Sequence, residues 1–233
     1  MVDKDDKRIE IVKDGPYIVS GNVPLAKEVS IRDKQNIPVE WRMETSYPHK
    51  EEYALCRCGA SRNKPFCDGS HADIGFDGTE TASRLPFSEV AERYEGQGFD
   101  LLDCVELCQG AQFCHQAGGI WNLVDLPSDP KTTQRAAQIA GQCPTGRLVV
   151  CEKETGKAIE PPFEKSITVL EDPGRHCSGP LWVKGGIPVI SADGTEYEVR
   201  NRATLCRCGA SGNKPFCDGT HISIGFNDGD KTL

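Results

Sequence analysis

The chain has 233 residues and a formal net charge of −8, with 35 Asp and Glu against 27 Lys and Arg. That sign argues against nucleic acid or an anionic membrane as partner, since phosphate surfaces recruit cations. No apolar run approaches the roughly 18 residues that a spanning helix needs, and 12 cysteines dominate what chemistry remains.

In chain order, Met1-Val2-Asp3-Lys4-Asp5-Asp6-Lys7-Arg8 lacks the apolar core of a secretion signal and is too acidic for a transit peptide. The expectation is a reducing, cytoplasmic setting, prokaryotic for want of a targeting segment. There the cysteines ligate metal and do not form a disulfide framework. Residues 9–40 read as short strands, with β-branched alternation broken by Gly and Pro in Gly15-Pro16-Tyr17-Ile18-Val19-Ser20-Gly21.

Next comes Cys56-Arg57-Cys58-Gly59-Ala60-Ser61-Arg62-Asn63-Lys64-Pro65-Phe66-Cys67-Asp68-Gly69-Ser70-His71. Cys56 and Cys58 are too close in sequence for an unstrained disulfide, yet an extended segment can turn both sulfurs toward one metal centre. Cys67 and His71 have the spacing of one face of a helical turn, and Asp68-Gly69-Ser70 can turn the chain and cap that helix. Three thiols and an imidazole suit either Zn²⁺ or an iron–sulfur cluster.

Residues 77–100 read as a connector with helical content from Phe87 to Tyr94. Leu101 to Phe113 reads as a helix, with Leu101, Val105, Cys108 and Gln112 on one stripe. Asp129-Pro130 opens a second helix through Ala140, with Pro at an early helical position. Arg147 to Val150 reads as a strand. Cys108, Cys114 and Cys143 form a second group of thiols. Cys104, one turn before Cys108, and His115 are candidates for a fourth donor. Cys151 and Cys177 fit no pattern and read as buried free thiols. His49 and His176 are isolated and read as surface or turn residues.

The chain then repeats itself. Gly179-Pro180-Leu181-Trp182-Val183-Lys184-Gly185 echoes Gly15 to Gly21, and Cys206 to His221 matches Cys56 to His71 at 14 of 16 positions. The donors of the second copy are Cys206, Cys208, Cys217 and His221. The segment between strand and loop is longer in the first copy. Lys64 and Lys214 stand near the two donor sets, as tuning charges or as solvated surface residues. No P-loop, G-x-S-x-G or dinucleotide fingerprint occurs, so catalysis by side chains is not expected.

The pattern C-x-C-x2-(S/T)-x3-P-x-C-D-G-(S/T)-H, complete in both copies, resembles the mitoNEET-like CDGSH iron–sulfur family. The resemblance implies a [2Fe–2S] cluster in each copy. Cys56 and Cys58 would hold one iron, and Cys67 and His71 the outer one. Cys206, Cys208, Cys217 and His221 would do the same. One-motif members pair as homodimers beneath a β-rich cap, so the resemblance implies that this two-motif chain pairs internally, as in the mitochondrial inner NEET type. The run Cys108-x5-Cys114 with Cys143-Pro144 resembles a divergent [4Fe–4S] mono-cluster ferredoxin domain, except that Ala111 stands where an ordinary one has Cys. Three thiols suit a [3Fe–4S] cluster, and a fourth donor would make it [4Fe–4S]; an empty ferredoxin-like fold is the alternative.

The expected architecture is α+β. Two β-rich CDGSH modules, residues 1–84 and 171–233, form a pseudo-dimer, with a small α+β ferredoxin-like module over residues 85–170. The expected function is that of an iron–sulfur carrier, moving electrons or clusters or sensing redox state, as a monomer with a redox or cluster-acceptor protein as partner. A structural zinc protein and a subunit of an oxidoreductase are the alternatives. A neutral imidazole replacing a thiolate makes a cluster less anionic and easier to reduce. It also gives acid a ligand to protonate.

Overall fold

The computed structural model describes residues 7–233, so Met1–Asp6 lie outside the described residues. The first part of the chain forms strands β1 (Arg8–Ile11), β2 (Tyr17–Ser20), β3 (Leu25–Arg32), β4 (Pro38–Ser46) and β5 (Tyr53–Leu55), then the single-turn helix α1 (Ser70–Asp73). The middle holds α2 (Phe87–Val90), β6 (Glu92–Glu95), β7 (Phe99–Asp103), α3 (Ile120–Val124), α4 (Pro130–Gly141), β8 (Leu148–Glu152) and β9 (Ala158–Ile159). The last part holds β10 (Ser166–Asp172), β11 (Cys177–Lys184), β12 (Val189–Ile190), β13 (Arg202–Leu205) and α5 (Thr220–Ser223).

The two ends share one design. In β1, Ile9 and Ile11 are buried and alternate with the more open Arg8 and Glu10, the period of a strand with one covered face. β1 pairs antiparallel with β2, and β2 with β5, which runs into Cys56. In the second copy β10 pairs with β11, and β11 with β13, which runs into Cys206. The strand after each Gly-Pro strand then crosses to the other copy. β3 lies parallel to β10, with Leu25 opposite Ile167, and β12 lies parallel to β1, with Val189 opposite Ile9. The entry bonds match as well, from Ile9 N–H to the Pro188 carbonyl and from Ile167 N–H to the Pro24 carbonyl, each 2.9 Å.

The core lies where the copies exchange strands. Ile9, Val19 and Leu25 from the first copy pack in one cluster with Val169, Leu181 and Val183 from the second. Each is at most 1% exposed. A strand-and-loop module of this size has little core of its own, and exchange supplies the missing half.

The middle module is a four-stranded sheet, β6-β7-β8-β9. Phe99, Leu101 and Val150 from the sheet pack in one cluster with Ile120, Ala136 and Ile139 from α3 and α4. Asp129 caps α4 through its side chain, with Pro130 at the first helical position. Together with the strand β8, this matches the sequence expectation for 129–150.

The helix expected over Leu101–Phe113 is not formed. Residues 99–103 are strand β7, paired with β8 from Phe99 opposite Glu152 to Asp103 opposite Leu148. A 3₁₀ turn follows at Val105–Leu107, and Gln112 has φ 67. Sheet pairing and the left-handed Gln112 override the helical spacing. The helix at Phe87 ends at Val90, and Glu92–Glu95 is strand β6.

The longer first-copy connection docks the middle module. The Trp41 ring on β4 stacks on Phe113 at 4.8 Å, and its indole N–H donates to the Gln142 carbonyl at 3.0 Å. The Arg32 guanidinium at the end of β3 donates to Gln112 Oε1 at 3.2 Å.

Candidate metal centres

Each donor loop is held by its own backbone. Cys56 N–H donates to the Pro65 carbonyl and Cys206 N–H to the Pro215 carbonyl, both at 2.8 Å. Phe66 and Phe216 form isolated bridges back to Leu55 and Leu205. Ser61 Oγ donates to the Phe66 carbonyl and Ser211 Oγ to that of Phe216. The Asp68 carboxylate accepts from the N–H groups of Arg62 and Ser70, and Asp218 accepts from those of Gly212 and Thr220. The Ser70 hydroxyl and then these N–H groups hold Asp68 well below the usual carboxylate range. The Lys64 and Lys214 ammonium groups fold back onto the carbonyls of Ser61 and Ser211.

The donors converge in pairs. Cys56 Sγ lies 3.9 Å from Cys58 Sγ, and Cys206 Sγ lies 3.6 Å from Cys208 Sγ. The Nδ1 atoms of His71 and His221 lie 3.4 and 3.3 Å from Cys67 Sγ and Cys217 Sγ. Two thiolates on one tetrahedral metal, with bonds of about 2.3 Å, stand about 3.8 Å apart, and a thiolate and an imidazole about 3.6 Å apart. Each pair therefore fits one metal atom. Among the described residues no third Cys or His donor joins any of these pairs within 4.8 Å. Each set is thus two pairs with space between them, and all 12 cysteines are free thiols.

The two sets differ in cover. Cys67 and His71 are half-buried, whereas Cys217 is 3% and His221 4% exposed. Burial, then the nearby Arg207 charge, pulls the His221 imidazole down to about 4. Burial pushes the Cys217 thiol well up. The hydrogen bond with Cys208, with backbone N–H groups beside it, brings the Cys206 thiol down to about 6.

In the middle module Cys114 is pushed up to about 12, by burial first and then by the neighbouring Cys143 and Cys108. Cys143 and Cys108 therefore lie near Cys114. Cys104 does not join them. Its thiol donates to Glu106 at 3.4 Å, and its side chain packs with Phe87, Val149 and Cys151. His115 is exposed. Cys151 and Cys177 are each 2% exposed, as expected of buried free thiols. His176 sits in a left-handed turn, and His49 Nδ1 lies 3.1 Å from the Tyr47 carbonyl.

Residues 14–72 and 178–222 match the family model described as iron-binding zinc finger, CDGSH type. Residues 94–153, between them, match that of a divergent 4Fe-4S mono-cluster. The chain is a tandem CDGSH iron–sulfur protein. Searches of curated proteins and of solved structures returned no match.

Several side chains packed around the donor sets of this CDGSH protein are not singled out by its motifs. Arg57 and Arg207, the middle residues of the two C-x-C pairs, are 2% and 3% exposed. Arg57 donates to the Gly78 carbonyl at 2.6 Å and lies over the Tyr17 and Phe76 rings. Arg207 pairs with Glu171 at 2.5 Å and with Asp228. The carboxylates Glu171, Asp228 and Asp230 cluster, but Arg207 and Lys27 already neutralise them. The Tyr17 hydroxyl crosses between copies to donate to the Cys206 carbonyl at 2.8 Å. Arg147 lies beside Cys108 and pairs with Asp103 at 2.5 Å, so a fixed cation faces the middle thiols. The signal for the two C-x-C arginines was present as the same residue in both copies.

Proposed function

We propose that each CDGSH donor set holds a [2Fe–2S] cluster. Cys56 with Cys58, and Cys206 with Cys208, take one iron of each; Cys67 with His71, and Cys217 with His221, take the other. The observation that carries this is the grouping of donors in pairs at 3.3–3.9 Å, with no third Cys or His among the described residues within 4.8 Å of both members of a pair. A closed zinc site needs all four donors mutually about 3.8 Å apart or closer. A bound cluster supplies one-electron redox chemistry.

Cys108, Cys114 and Cys143, beside the Arg147 cation, suit a third, polynuclear centre of the [3Fe–4S] or [4Fe–4S] type. The chain then acts as a carrier of electrons or clusters, working as a monomer toward a redox or cluster-acceptor protein in a reducing cytoplasm. The proposed division into residues 1–84, 85–170 and 171–233 follows the repeat, and β10 straddles the second boundary.

The test is iron and acid-labile sulfide per chain on anaerobically purified protein, with visible and EPR spectra. The CDGSH sets account for about four irons and four sulfides; about seven or eight irons, with an added EPR signal, would fill the middle centre as well. Colourless protein with stoichiometric zinc overturns the reading.

A further inference from the structure

The two copies are nearly identical in sequence but not in surroundings. In the first, Gly69 has open space where a Cβ would stand, and Ala72, after His71, is exposed. In the second, a Cβ on Gly219 would lie 3.2 Å from the Cys108 carbonyl oxygen and 3.5 Å from Gln109. Ile222 stands where the first copy has Ala72, and its Cδ1 would meet a Cβ on Gly110 at 2.5 Å. Gln109 is 4% exposed. Between Gln109, Gly110, Ala111, His221 and Ile222 only about 10 Å³ of space remains, at most what one water occupies. The loop that carries Cys108 therefore lies directly on the helix that carries His221.

We propose that the 108–111 loop is a built-in cover over the C-terminal donor set, which makes that set the retained one and leaves the N-terminal set open to an outside acceptor. This rests on the reading that both sets hold clusters. The cover works sterically. An incoming ligand must reach the His-bearing side to displace a donor, and on the second copy the middle module occupies that side. Ile222 is the keystone, because glycine at position 110 leaves it room and Ala72 could not fill that space. The Trp41–Phe113 stack holds the loop's far end in place.

The experiment uses the metal-loaded full chain at constant pH, with bathophenanthroline disulfonate as the probe and EPR following the two CDGSH signals separately. His71→Cys assigns them, since it alters the signal of the first set alone. In the wild type, the first set is expected to lose its metal roughly tenfold or more faster than the second. Ile222→Ala is expected to speed the slow phase severalfold and leave the fast phase unchanged. The converse Ala72→Ile leaves the fast phase unchanged, because Ala72 is exposed and no loop among the described residues covers the neighbouring Gly69. Equal rates from both sets, a slow phase that ignores Ile222→Ala, or a first set protected by Ala72→Ile alone would each overturn the cover. A chain without iron instead overturns the functional reading beneath it.

Discussion

Under the proposed ligation, His71 and His221 are the residues whose chemistry sets the character of the two centres. A neutral imidazole carries no charge to the metal and can be protonated away from it, whereas a thiolate adds one negative charge and resists acid longer. His71→Cys and His221→Cys should each lower the reduction potential of one centre and extend metal retention to lower pH. Potentiometry and absorbance against pH on the single variants check this, and loss at the wild-type pH would contradict the assignment of His as ligand. Glu171 gives a second prediction at this scale. Burial pushes its carboxyl from the ordinary 4.5 up to about 7, against the pull of Arg207. The folded chain therefore holds this proton more tightly than the unfolded chain does. The contribution is fully present below about pH 4.5 and is lost as pH rises through about 7. Thermal midpoints of metal-free protein should fall across that window in the wild type, and Glu171→Gln should flatten the fall.

Among the elements, the β3–β4 extension explains why the first copy is longer than the second. It is the dock on which the middle module rests, with Trp41 as its main contact. Trp41→Ala should cost about 2 kcal/mol in denaturant unfolding. It should also weaken the EPR signal of the middle centre while sparing that of the first CDGSH set; equal weakening of both would mean that the module does not depend on this dock. The sequence left part of this unreadable for a physical reason. The donor loops were legible because their ligands, turns and caps all lie within 16 residues and occur twice. The strand over Phe99–Asp103 was not. The spacing of Leu101, Val105 and Cys108 also satisfies a helix, and only pairing with β8, distant in sequence, decides between the two. Cys104 was a plausible fourth donor on that helix. It lies instead just past the end of the strand, packed with Phe87 and Cys151.

For the whole molecule, the exchange of strands makes the two donor sets one cooperative unit. β10 lies between β11 and β3, one from each copy. The buried Ile167 and Val169 pack in the same cluster as Ile9 and Val19. A Cβ on Gly59 would stand 2.6 Å from the Cys208 carbonyl oxygen, and one on Gly209 would crowd the Cys58 carbonyl in the same way. The loops therefore touch backbone to backbone. Separating residues 166–233 from the rest removes β3 from one edge of β10 and the Tyr17 hydroxyl from Cys206. Half of the shared core is then exposed. The expected outcome is that 1–84 and 166–233, produced singly, hold no iron as monomers and are digested quickly by protease. Co-expressed, they should copurify with two CDGSH signals and no middle signal. A homodimer of 166–233 would arise from the same exchange, the second copy of the fragment standing in for the first half of the chain, so the oligomeric state decides. An iron-loaded, protease-resistant monomer of 166–233, seen by light scattering, would show that each copy carries its own core and would overturn the pairing as the source of stability.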